Sequence, residues 1–402
     1  MRQPPGNGAL PVKICQVCAV EFTYRKFMAP LSAALAWQGY QVHGAFTPES
    51  WGDLSDSLGL GLTAYHPVAI ARSASPFALV RSTWSLWRLF VRERFTVVHV
   101  HTPVAAIAAR LAAVMAGVPI VIYTAHGFYF HERMPLLQRW FHIALEALLA
   151  RLTTELLTVS SEDAALARRL KFRPAAHIHA IGNGVDPQRF VPPTPEVQHI
   201  QRTRFGLNPD SVVIGIVARL VAEKGYGELL QAFEQLAEGV PNAQLLLCGS
   251  RLASDHAGSV DARLQELQAA YPGRVVCAGG INDPEAAYQA MDLFCLPSWR
   301  EGLPYTVIEA MLTGLPVVAT NIRGCREQVV PEVTGLLVPP QQSALLADAL
   351  ERLLLQPQLR RQWGAAGRQR ALALYDQATV LQHQLDLYRL ALARLPKPLT
   401  TH

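Results

Sequence analysis

Little in this sequence would anchor the chain, staple it or wrap it around a polyanion. No stretch of about 18 uninterrupted apolar residues is there to span a bilayer. Behind Met1 the start RQPPGNGALPVK carries positive charge with no apolar run after it, so a secretory leader is not expected. Cysteine is scarce, six in 402 residues without regular spacing, which excludes a disulfide framework. Cys15-Gln-Val-Cys18 has the spacing of a redox pair but lies in the apolar run Ile14 to Val20, where two buried strand cysteines are the expectation. Zinc-finger, RNP-like and basic-zipper patterns are missing and the cations are dispersed, so nucleic acid is not an expected partner. Asp-x-Asp, internal repeats and low-complexity tracts are also absent.

What remains is ordinary globular content, 50% hydrophobic and 17% charged, with chain enough for two cores. The net charge of +5 is unevenly spread: residues 1–190 hold 18 lysines and arginines against 11 acidic residues, and residues 191–402 hold 18 against 20. A basic first half suits an anionic partner, either a phosphate-bearing substrate or the inner membrane leaflet. The expected location is cytoplasmic, soluble or peripheral on the inner face of the plasma membrane.

Short apolar runs alternate with longer amphipathic ones, the pattern of parallel strands joined by helices. In the first half strands are expected at Lys13–Val20, Gln41–Phe46, Val97–Val100, Ile120–Thr124, Glu155–Val159 and His177–Ile181, with helices at Phe27–Gln38, Val104–Met115, Leu136–Leu152 and Ser161–Leu170. Ser160 and Asp163 form a capping box for the last of these. A second series runs through Val212–Val217, Gln244–Cys248, Arg274–Cys277, Leu293–Leu296, Pro316–Ala319 and Gly335–Val338, with helices between and a nearly all-helical stretch Ser343–Leu395 broken near Pro357 and Gly367. The Pro/Gly-rich passage from Gly182 to Pro195 reads as the linker. The expected plan is α/β: residues 12–190 and 191–375 as two Rossmann-like βα domains, with 376–402 as a terminal helix crossing back to the first. Two such sheets imply crevices at the carboxyl ends of their strands, and an interdomain cleft is the default ligand site.

Pro297-Ser-Trp-Arg-Glu301-Gly302-Leu303-Pro304 follows a buried strand and opens a helix that carries Glu309. Such a loop presents backbone N–H groups to a phosphate, and both carboxylates are placed to face one crevice. The plainer alternative makes Glu301 a helix cap and Glu309 a solvated residue. Arg219 and Lys224 follow the first strand of the second series, where they suit a diphosphate or are surface cations. His99-Val-His101 puts two imidazoles on one strand face, which suits zinc or a strand end at a cleft; no third ligand stands at a recognisable spacing.

Arg219 with Lys224, Glu301-x7-Glu309, Gly314-Leu-Pro-Val-Val-Ala-Thr320 and Gly335-Leu-Leu-Val-Pro339 together resemble the family-4 retaining glycosyltransferases of GT-B fold. Thr124-Ala-His126-Gly127, Val159-Ser-Ser and Asn183-Gly-Val-Asp186 are similar to the matching upstream parts of that family, in the same order over nearly the whole chain. The resemblance implies a nucleotide-sugar donor held by the second domain. Arg219 and Lys224 would bind the diphosphate, with Ser250 adding a contact; Glu309 would meet the ribose; Glu301 and the backbone of Gly302 and Leu303 would meet the sugar, and His126 would stand at the reaction centre. It also implies that no metal or other cofactor is needed, since cations can replace one.

The family's Gly-Gly loop after the first strand is replaced here by Glu21-Phe-Thr-Tyr-Arg25-Lys26, so Thr23, Arg25 and Lys26, with His101, become acceptor-side candidates at the start of the next helix. Phe77–Phe95 interleaves Trp84, Trp87 and Phe90 with four arginines, and Leu136–Phe141 repeats the composition. These are interfacial helices or helices packed on the sheet with solvated arginines. The nearest likeness is to bacterial exopolysaccharide, capsule and O-antigen transferases. It implies a UDP-sugar, an N-acetylhexosamine among the candidates, and a glycan or polyprenyl-diphosphate-linked acceptor. A nucleotide-sugar epimerase of the same fold is the alternative.

Overall fold

A computed structural model describes residues 11–48, 61–71, 75–251 and 259–395. The start of the chain at residues 1–10, read above for a leader, lies outside them. The chain divides into two compact units, one running to Gly182 and resuming at Thr379, the other spanning Asn183–Ala378.

The first unit is built on β1 (Lys13–Val20), β2 (Gln41–Thr47), β3 (Ala64–Pro67), β4 (Val97–His101), β5 (Ile120–Ala125), β6 (Glu155–Thr158) and β7 (Ile178–Ala180), a sheet of seven strands in the order β3-β2-β1-β4-β5-β6-β7. All its pairs are parallel, which explains the near-continuous apolar strands: both faces are covered. Only β3 escaped the sequence reading, because Ala-Tyr-His-Pro is a half-exposed edge with a proline that weakens the pattern. Cys15, Val17, Val98, Val100 and Tyr123 lie in one core with Leu86, Phe90, Ala105 and Ala109 of the helices Pro76–Glu93 and Pro103–Met115. Cys15 and Cys18 are buried, and burial pushes both thiols upward, so they are strand packing and not a redox pair. Arg110 is fully buried, paired with Glu146 at 3.0 Å, and its guanidinium stacks 4.2 Å from the Tyr123 ring centre. Ser160 caps the helix Ser161–Arg169 by accepting from the Asp163 N–H.

The second unit repeats the plan with β8 (Val212–Val217), β9 (Ala243–Cys248), β10 (Val275–Gly279), β11 (Leu293–Leu296), β12 (Val317–Thr320) and β13 (Gly335–Val338), ordered β10-β9-β8-β11-β12-β13. This pair of α/β sheets is the GT-B architecture.

Three expectations need correction. The division falls after Gly182 and not at 190, because Asn183 Nδ2 donates to the Leu303 carbonyl at 2.6 Å and the Val185 N–H donates to the Tyr375 carbonyl at 2.9 Å. The passage that ends at Pro195 is not all linker: Pro195 opens the helix Pro195–Arg204, and Thr194 caps it by accepting from the Val197 N–H. Gly367 does not break its helix, which runs unbroken over Pro357–Leu374. Gly364 in this helix serves close approach instead, since a Cβ there would stand 2.0 Å from the Gly314 carbonyl oxygen.

Gly364→Ala must therefore push the helix off its neighbour, and we expect a loss of about 1–3 kcal/mol in urea unfolding. A variant as stable as the parent would mean the helix shifts at no cost.

Candidate active site

In each sheet the strand order reverses after its first strand, at β1/β4 and at β8/β11, and such a switch point opens a crevice at the carboxyl ends of those strands. Several of the predicted residues lie on loops that leave these strands.

In the second unit Lys224, in the turn after β8, meets Glu301, in the loop after β11: Nζ to Oε1 is 2.6 Å. Ser298 Oγ donates to the same oxygen at 2.7 Å, while its own carbonyl accepts from Thr320 Oγ1 at the end of β12. Two glycines hold this loop. Gly225 has φ +77° and a Cβ there would lie 2.1 Å from the Pro297 carbonyl oxygen; Gly324, φ +81°, stands in the same relation to Gly302 at 2.2 Å. Arg219 pairs with Glu223 at 3.2 Å, and Arg300, which the sequence reading missed, reaches the other oxygen of that carboxylate at 3.7 Å. Arg300 directly precedes Glu301, and that adjacency was the available signal.

Ser250 is exposed beyond β9, with its carbonyl accepting from the Leu220 N–H at 3.2 Å. Leu303 is buried and its carbonyl is taken by Asn183. Glu309 is not the solvated residue of the plainer alternative: it is 8% exposed, and it accepts from Tyr288 Oη at 2.6 Å. Its helix, Tyr305–Leu312, is buried from Val307 onward.

The first-unit site is a chain of buried polar groups. Parallel register sets Gln16 of β1 opposite His99 of β4, and His101 opposite Thr124 of β5. His126 Nε2 lies 3.2 Å from His101 Nδ1; His101 Nε2 lies 3.0 Å from Gln16 Oε1; Gln16 Nε2 donates to Tyr388 Oη at 2.9 Å. Tyr388 Oη is 2.6 Å from His99 Nδ1, and His99 Nε2 is 2.7 Å from Thr124 Oγ1. Burial drives all three imidazoles toward the neutral form: His99 to about 3, His126 to about 4, and His101 well below its usual value, with His99 and His126 adding to the last effect. The His99 and His101 nitrogens are thus occupied by protein partners, which disfavours the zinc reading. Thr102, directly after His101, has φ +64°, and its buried Oγ1 finds no partner among the described residues. Gln16 and Tyr388 were not singled out from sequence; a glutamine inside an otherwise apolar strand run was the available signal.

Arg25 and Lys26 do not stand at a helix start. With no proline or glycine after β1, the chain turns helical at Glu21, so both fall one turn in. Arg25 is paired with Glu21 at 2.5 Å, and Lys26 lies 5.9 Å from the ring centres of Phe22 and Phe27. Thr23 sits half-buried in the same first turn. Among the described residues, the cluster with metal-ligand spacing is His43, His66 and Glu93. Its carboxylate is already flanked by Arg92 at 2.9 Å and Lys13 at 3.5 Å, so it reads as an ion-pair cluster.

Two family models cover most of this ground: "Glycosyl transferases group 1" matches residues 197–370, and "Glycosyl transferase 4-like domain" matches residues 23–184. EpsD of Bacillus subtilis is 30% identical over 383 residues, 94% of this chain and 96% of that one. The chain belongs to the group 1 glycosyl transferases. It is an enzyme of that class. A second relative, the UDP-Gal:alpha-D-GlcNAc-diphosphoundecaprenol alpha-1,3-galactosyltransferase of Escherichia coli, is 30% identical over 311 residues, 75% of this chain and 77% of its own. Among solved structures, Anabaena Alr3699/HepE in complex with UDP and glucose superposes with a TM-score of 0.77 at 19% identity, over 94% of this chain and 99% of that one, a likeness of fold. Nothing in these findings supports the epimerase alternative.

The buried histidines fix a pH dependence. Unfolded, they titrate near 6.5; folded, His99 and His126 titrate near 3 and 4, so the unfolded chain binds more protons as pH falls. Their stability contribution is full above pH 6.5 and is lost as pH falls from there to about 4 for His126 and about 3 for His99. At pH 5 the loss is ~2 kcal/mol for each in urea unfolding. A flat profile from pH 7 to 5 would show these imidazoles charging freely in the fold.

Proposed function

We propose that this transferase is retaining and metal-independent, and that it moves a sugar from a UDP-linked donor, an N-acetylhexosamine being one candidate, to a glycan or lipid-diphosphate-linked sugar in bacterial surface-polysaccharide assembly. The observation that carries the reading is the cation set at the second switch point. Lys224 on Glu301, and Arg219 with Arg300 on Glu223, are three positive groups on the loops that leave β8 and β11, each paired with a carboxylate that a phosphate can displace, and this supports a diphosphate site there. The donor and acceptor in the name of the Escherichia coli relative support the UDP-sugar donor and the polyprenyl-diphosphate acceptor.

In this reading Arg219 and Lys224 take the diphosphate, with Ser250 beside it, and Glu309 meets the ribose once Tyr288 yields. Glu301 and the backbone of Gly302 and Leu303 meet the sugar, and His126 is the catalytic candidate of the first unit. The sugar carbon–phosphate oxygen bond breaks as the acceptor oxygen bonds the same face, and the acceptor proton passes to the leaving phosphate. No residue forms a covalent intermediate. Thr23 and Lys26, on the helix that leaves β1, remain the acceptor-side assignment; Arg25 is held by Glu21, and His101 acts through His126.

The acceptor also bears on where the enzyme works. Among the described residues no helix is long and apolar enough to cross a membrane. The helix Pro76–Glu93 nevertheless exposes Phe77 (80%) and Trp84 beside Arg81 and Arg88, and the helix Leu136–Ala150 exposes Leu137 (87%), Trp140 and Phe141. Aromatic side chains interleaved with arginine suit the surface of an anionic leaflet, where a lipid-linked acceptor lies.

Thermal unfolding with UDP, GDP, ADP and CMP, without added metal, tests the donor site. UDP alone is expected to raise the midpoint, and Arg219→Ala with Lys224→Ala to abolish the shift. A shift by another nucleotide replaces the donor, and a shift that survives the double variant overturns the diphosphate assignment. For the membrane face, sedimentation with phosphatidylglycerol vesicles but not phosphatidylcholine vesicles is expected, reduced by Leu137→Ser with Trp140→Ser. Equal recovery with both lipids, or with neither, removes the anionic-leaflet proposal.

A further inference from the structure

The buried polar chain on the first sheet starts at Tyr388, on the helix Gln377–Ala393, and ends at His126. A neutral imidazole has one donor and one acceptor nitrogen, so bonds linked through such rings all point one way or all point the other. The Tyr388 hydroxyl can give or accept on either side, so the direction toward His126 is set by the Gln16 amide, whose Nε2 faces Tyr388 and whose Oε1 faces His101. Gln16 Nε2 donates to Tyr388 Oη at 2.9 Å, and Tyr388 Oη lies 2.6 Å from His99 Nδ1. Gln16 Oε1 must then accept from His101 Nε2–H, and His101 Nδ1 from His126 Nε2–H.

We infer that Tyr388, through Gln16 and His101, is a positioning residue that fixes His126 in the Nε2–H tautomer and leaves its Nδ1 as a bare acceptor for a substrate hydroxyl. The described residues offer Nδ1 no hydrogen-bond partner, and His126 is half-buried while His99 and His101 are buried. A neutral ring with a free lone pair accepts from a sugar hydroxyl; the opposite tautomer would present an N–H to the same hydroxyl and orient it the other way. The chain therefore selects how the substrate is held, without itself touching it. For its effect on rate this rests on the transferase reading; the tautomer itself does not.

The test is nitrogen-15 NMR of protein labelled at histidine, with His126→Gln identifying the His126 signals by their loss. In the unmodified protein at pH 7 the expected pattern is a protonated Nε2 and an unprotonated Nδ1. Tyr388→Phe keeps the ring volume but removes the hydroxyl that orders Gln16, and is expected to give mixed tautomers at His126. Its kcat is expected to fall about fivefold, the weight of one hydrogen bond, with the donor KM unchanged. An Nδ1–H tautomer in the unmodified protein, or an unaltered His126 pattern in Tyr388→Phe, overturns the inference. If Tyr388→Phe does not fold, the unmodified protein's ring signals decide alone. Failure of the unmodified enzyme to transfer from any UDP-sugar would sink the transferase reading and leave the tautomer result standing, so the two fail separately.

Discussion

Reversal of strand order next to the first strand of each sheet is the constraint from which the rest follows. Crossovers from β8 to β9 and from β8's other neighbour β11 to β12 leave in opposite directions along the sheet, so the helices that cover them part at the carboxyl ends. The opening needs no special residue to form, only parallel strands and right-handed connections. Loops leaving two adjacent strands then meet above it, which is why Lys224 and Glu301, 77 residues apart, come into contact. In the first sheet the same reversal sets β1 beside β4 and makes Gln16 and His99 partners in register.

The two sites use that opening in contrasting ways. At β8/β11 charges of opposite sign are paired at a partly exposed surface, where each pair contributes little to stability and either member is free to exchange partners. At β1/β4 the polar groups are uncharged and buried, where leaving one unsatisfied costs far more than a surface ion pair returns. One is an exchangeable set of charges and the other a fixed one of dipoles.

Most of the framework was legible in the residues. Lys13–Val20, Val212–Val217, Leu293–Leu296 and Gly335–Val338 have the bounds that their apolar runs suggest, because strands buried on both faces announce themselves by composition. The proline and glycine signals were harder. Pro195 marks a helix start and Gly364 a close contact, and both look like breaks until the neighbour is known. Among site residues, Lys224 and Glu301 could be placed on one crevice from strand order alone. The partners Gln16 and Tyr388 could not: 372 residues separate them, and no local pattern says that a tyrosine near the end of the chain will enter a strand face near its beginning. The solvated alternative for Glu309 failed because a carboxylate on a helix normally faces water, and here the whole turn is covered.

The return of the last helix to the first unit makes the second unit an insertion between two parts of the first. During synthesis the second unit is complete while Thr379 to the chain end is still to come. A vectorially made chain therefore has its first sheet waiting, with Gln16 and His99 lacking the hydroxyl that joins them, until Tyr388 leaves the ribosome. The unit whose residues are made first is the one finished last. A truncated product would retain an intact second core beside a first sheet with unsatisfied polar groups in its interior, which would give quality-control proteases a way to recognise incomplete chains.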